Sequence, residues 1–63
     1  MKTLEQVKVE IEAVELENRM ANNFNGAGTA TLENGEMISS NGAIQEVEDI
    51  LTANGIKYTV RLN

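Results

Sequence analysis

Sixty-three residues with five basic and ten acidic side chains carry a net charge of −5, and the chain has neither cysteine nor histidine. That composition excludes a disulfide framework, removes the usual ligands of zinc and other borderline metals, and repels the phosphates on which nucleic-acid binding rests. A single domain, residues 1–63, buries only roughly 60% of its unfolded surface at this size, so association is the stabilising device left open, with a protein partner or in a homo-oligomer, a dimer or larger.

In chain order, the N-terminus has no apolar run of signal-peptide length, and no stretch approaches the ~20 apolar residues of a membrane span. The expectation is a soluble, cytoplasmic protein without membrane association, in the host cytoplasm if the chain is viral. Residues 3–22, TLEQVKVEIEAVELENRMAN, satisfy two templates. Val7, Val9, Ile11 and Ala13 alternate as in a strand, while Leu4, Val7, Ile11 and Val14 recur at helical spacing. Thr3 followed by Gln6 forms a capping-box pattern. Lys8–Glu12 and Glu15–Arg19 sit at i,i+4, and neither Gly nor Pro interrupts the run. These features favour a helix, with a strand over residues 6–16 as the alternative. On the helix, Val9, Ala13, Leu16 and Met20 make a second apolar stripe roughly opposite the first. A helix covering a small sheet needs one stripe, so the second is an expected interface with another chain.

Residues 22–28, NNFNGAG, end the first element, with Phe24 expected to plug the core edge. A hairpin follows over residues 29–39, turning at Asn34-Gly35. Read as a two-residue type I′ turn, it places Leu32 opposite Met37, Thr31 opposite Ile38 and Glu33 opposite Glu36. A second helix is predicted from about Asn41 to Ala53, burying Ile44, Val47, Ile50 and Leu51 and ending at Asn54-Gly55. Ile56, Tyr58, Val60 and Leu62 then alternate with polar residues in a closing half-buried strand. The class is α+β, in the order αββαβ, or βββαβ if the first segment is a strand. The last strand is expected beside the first hairpin strand and antiparallel to it, in a three-stranded sheet covered by helices.

Chemistry is sparse. Without histidine or cysteine, Ser39 and Ser40 have no base to activate them and read as helix-cap residues. Glu46, Glu48 and Asp49 belong to a solvated helix face. No catalytic residue, cofactor or metal site is implied, and the chain is not expected to be an enzyme. One feature stands out in so acidic a chain: from Met37 to Gln45 there is no charge, although helix entrances favour carboxylates. A neutral cap at Ser40 or Asn41 followed by Gly42 is the composition of an anion site, with Ser39 beside it and Arg19, Lys57 or Arg61 as the cations that would have to converge. Asn22, Asn23 and Asn25 would add donors.

Two functional readings follow. The first is a small acidic binder or inhibitor that works by occupying a protein partner. It resembles, in class and without a shared motif, the compact accessory proteins that phages encode against host defence enzymes; antitoxin-like modules are similar at this level. The second is an oligomer, a dimer or larger, that sequesters a small anionic nucleotide or metabolite at the second helix entrance. A structural subunit defined only by its interfaces is a third.

Overall fold

The computed structural model describes residues 2–22 and 26–63. The expected places of Phe24 at the core edge and of Asn23 and Asn25 at a ligand site lie outside the described residues. The elements are α1 (Leu4–Met20), β1 (Gly28–Leu32), β2 (Met37–Ser40), α2 (Ile44–Ala53) and β3 (Tyr58–Leu62), the αββαβ order. Residues 6–16 are helical, which settles the helix–strand ambiguity. No helix among the described residues is long and apolar enough to cross a membrane.

The α1 helix begins as its sequence requires. The Thr3 hydroxyl accepts from the Gln6 N–H at 3.2 Å, and the Gln6 side-chain oxygen accepts from the Thr3 N–H at 2.9 Å. Together they satisfy two otherwise orphan donors. The i,i+4 pairing expected for Lys8 is replaced by a longer-range one: Lys8 pairs with Glu36 at the start of the second hairpin strand, and Lys2 pairs with Glu10. At its far end α2 closes in a Schellman arrangement. Gly55, at φ +68°, donates to Thr52 O at 3.1 Å, and Ile56 donates to Leu51 O at 3.0 Å, which satisfies carbonyls the last helical turn leaves free.

The sheet order is β2-β1-β3, with β1 antiparallel to both neighbours, as the sequence predicts. Its register differs from the predicted one by a residue. Thr31 lies opposite Met37 and Ala30 opposite Ile38, not Leu32 opposite Met37 and Thr31 opposite Ile38. Instead, Leu32 donates to Glu36 O at 2.8 Å and Gly35 donates to Leu32 O at 3.0 Å. The loop is therefore three residues, Glu33–Asn34–Gly35, with Gly35 alone at positive φ (+91°). Asn34 contributes through its side chain, whose Oδ1 accepts from the Glu36 N–H at 2.9 Å. A type I′ turn needs both central residues at positive φ, whereas a three-residue loop needs one glycine in the last place. Because side chains alternate across a strand, the one-residue difference turns Met37 from the core to the outer face.

The inner face presents Gly28, Ala30 and Leu32 of β1, with Ile38 and Ser40 of β2 and Tyr58 and Val60 of β3 beside them. Val7 and Ile11 of α1 and Ile44, Val47 and Leu51 of α2 cover it, forming one core. Tyr58 keeps its hydroxyl at the core rim, donating to Glu48 Oε1 at 3.2 Å. No helix among the described residues covers the opposite face, which carries Thr29, Thr31, Met37, Ser39, Thr59 and Arg61.

The α2 helix starts at Ile44 rather than Asn41. Ser40 is the reason: its Oγ accepts from the N–H of Ala43 at 2.8 Å and of Gly42 at 3.5 Å, holding Asn41–Ala43 in a turn that precedes the helix. Ile44 then packs over Gly28, where a Cβ would stand 3.0 Å from Ile44 Cγ1.

Candidate interaction surface

The expected interface residues lie on one face of α1. Val7 and Ile11 point into the core, and Val9, Ala13, Leu16 and Met20 occupy the opposite side of the same helix. Val9 is 65% exposed, Leu16 55% and Met20 79%, and Ala13 is also exposed. Their spacing of four, three and four residues keeps them in a continuous seam along the helix. Glu5 and Glu12 lie along one flank of the seam, and Glu10 and Glu17 along the other. Arg19 is the basic residue on the rim near its end, and Lys2 engages Glu10.

Beside this seam, a groove of about 510 Å³ separates α1 from β2. Leu16 and Glu12 belong to both the seam and the groove, and Met37, 69% exposed, forms part of the opposite wall. Lys8 and Glu36 bridge the groove at one end. The hydrogen bond to Glu36, with the attraction of that carboxylate behind it, holds the Lys8 ammonium above its ordinary pKa of 10.5.

The residues expected at an anion site are only partly brought together. Ser40, Asn41 and Gly42 form the turn before α2, and Arg19 reaches the same cleft from α1. The cleft measures about 10 Å³, the room of no more than one water on the same measure (roughly 10–15 Å³). The N–H groups of Gly42 and Ala43 are committed to Ser40 Oγ, and that of Ile44 donates to Gly26 O at 3.4 Å. A carboxylate is also present: Glu15 of α1 lines the cleft. The α2 entrance therefore lacks acidic residues in sequence while a neighbouring helix brings one in space. Ser39 points to the outer face, its hydroxyl 3.2 Å from that of Thr29. Arg61 lies across from Thr29 on that same face, and Lys57 lies at the other end of the sheet near Leu32 and Leu4.

Sequence reasoning did not single out Glu12, Glu15, Glu36 and Met37 as surface partners. For Met37 the signal was the hairpin register; for the glutamates it was a helix–strand juxtaposition that local sequence does not encode. No three carboxylates come together as a metal site among the described residues. Compared with family models, with curated proteins and with solved structures, the chain finds no match in any of the three.

Proposed function

We propose that the chain is a small non-enzymatic binding protein, of the inhibitor or accessory type, that acts by occupying a protein partner with a basic surface. The observation that carries this reading is the seam of Val9, Ala13, Leu16 and Met20, which the fold leaves exposed on the far side of a helix already anchored by Val7 and Ile11. Fully burying one such large apolar side chain is worth roughly 1.5–3 kcal/mol, so three of them supply a binding core once the cost of association is met. The acidic flanks would then set partner choice and association rate. A second copy meeting the seam would oppose glutamates to glutamates, so the rim suits a basic partner better than self-association. The cytoplasmic setting belongs to this proposal, and so does the absence of catalysis, which rests on the missing histidine and cysteine.

Sequestration of an anion draws less support, since the α2 entrance has its N–H groups committed and little room. The test is affinity capture from the native lysate with the parent chain and with a Val9→Glu/Leu16→Glu variant, at low and at high salt. A basic protein captured by the parent at low salt, and lost with the variant and with salt, is the expected result. Capture that is indifferent to both changes would contradict the proposal.

A further inference from the structure

The free edge of β2 forms one wall of the groove beside α1. Leu32 donates to Glu36 O, and Ala30 pairs with Ile38 and Gly28 with Ser40. The alternation of an antiparallel ladder then turns the main-chain N–H and C=O groups of Met37 and Ser39 away from β1. Met37, Ile38 and Ser39 all line the groove. Successive side chains of a strand point to opposite faces, so a groove touching three in a row runs along the strand's edge. Glu12, Glu15 and Leu16 of α1 face it from the other wall.

We propose that this groove receives an extended basic segment of another protein, which adds to β2 as a fourth strand. Main-chain bonds to Met37 and Ser39 supply the attachment in this mode of recognition, and pockets for alternate side chains supply the selectivity. Leu16 and Ile38 offer the apolar contact. The charge of the segment follows from the walls. Lys8 is engaged by Glu36, which leaves Glu12 and Glu15 against Arg19 in a chain of net charge −5. Glu15 Oε1 is enclosed and accepts no hydrogen bond from the described residues, which leaves its charge for a cation in the groove to balance. A second copy pairing β2 with β2 would bring its own Glu12 and Glu15 to the same junction, where like charges oppose each other. This site adjoins the exposed seam, with which it shares Glu12 and Leu16, and it does not depend on the identity of the seam's partner.

The probe is a capped hexapeptide alternating lysine and valine, titrated at low salt into the isotope-labelled chain and followed by NMR. Two further peptides carry N-methyl groups on the lysines or on the valines. Saturable shifts at the amides of Met37 and Ser39 are expected with the unmodified peptide. Only one edge of an added strand faces β2, so one of the two N-methylated forms should bind at least about tenfold more weakly than the other. Glu12→Gln/Glu15→Gln should weaken the unmodified peptide by about tenfold; because the peptides are compared on the unaltered chain, the outcome does not hinge on how that variant folds. The proposal is overturned by an absence of shifts with the unmodified peptide or by equal binding of both N-methylated forms. It is overturned equally by shifts at Met37 and Ser39 that grow with protein concentration alone, which would mark self-pairing of β2.

Discussion

Replacing Gly28 by alanine sets two effects against each other. A glycine inside a strand is costly, and alanine recovers roughly 0.5–1 kcal/mol by restricting the unfolded chain. At this position, however, an added Cβ would stand 2.9 Å from the carbonyl oxygen of Arg61, 3.0 Å from Ile44 Cγ1 and 3.3 Å from Leu62 Cδ2. The nearest atom is backbone, held by the pairing of β1 with β3. The second belongs to the first residue of α2, which is buried in the core. The backbone oxygen does not yield without moving β3, and the Ile44 side chain would have to give by a few tenths of an ångström. Overpacking of this sort costs typically about 1–3 kcal/mol, so the net expectation is a loss of about 1 kcal/mol, at most about 2.5 kcal/mol. Set against a total stability of about 3–9 kcal/mol for 63 residues, that is a sizeable share, equivalent to a melting midpoint lower by roughly 4–8 °C. Urea unfolding followed by far-ultraviolet circular dichroism measures it. A midpoint equal to or above the parent's, with an unchanged m-value, would show that α2 and β3 do not approach Gly28 as closely as described.

Four further outcomes can be checked by the same or similar means. Thr3→Ala removes the α1 cap and should cost about 1 kcal/mol. A double-mutant cycle with Gln6→Ala should then show non-additivity, because the two side chains act as one reciprocal unit. Gly35→Ala meets no atom within 4 Å but must hold φ +91°, so its cost of about 1 kcal/mol should be conformational and largely recovered by Gly35→Asn. Leu16→Gln and Met20→Gln alter exposed side chains only and should leave the unfolding free energy from urea denaturation within about 0.5 kcal/mol of the parent's. Lys8 has a folded pKa raised above 10.5 by Glu36. Its contribution is complete below that value and disappears as pH rises through the folded pKa, so melting temperature should fall at alkaline pH by less in Lys8→Met than in the parent.

The sequence was most legible where structure is written locally. The α1 start at Thr3 and Gln6, the α2 stop at Asn54-Gly55 and the alternation ending in Tyr58, Val60 and Leu62 each carry their own physical signal. The sheet order followed from them, since a strand after a crossover lies most simply beside the first hairpin strand. The hairpin register was misread because Asn34-Gly35 satisfies two loop lengths; here Gly35 alone takes positive φ, and the Glu36 N–H donates to Asn34 Oδ1. That one residue places Met37 opposite Thr31 on the outer face rather than opposite Leu32. At the α2 entrance, sequence alone could not show the surroundings. Its uncharged sequence is genuine, but Ser40 caps the preceding turn and Glu15 arrives from α1, a juxtaposition that only packing creates. The exposed seam was readable because Val9, Ala13, Leu16 and Met20 exceed what one sheet-facing helix can bury.

The most direct test of the binding role is native mass spectrometry on the chain isolated from its own cells without refolding, beside a Val9→Glu/Leu16→Glu variant prepared the same way. The account predicts a complex with a second, basic protein for the parent and a bare chain for the variant. A parent that appears as a homo-oligomer carrying extra mass of nucleotide size, unaffected by the variant, would contradict it and return attention to the α2 entrance.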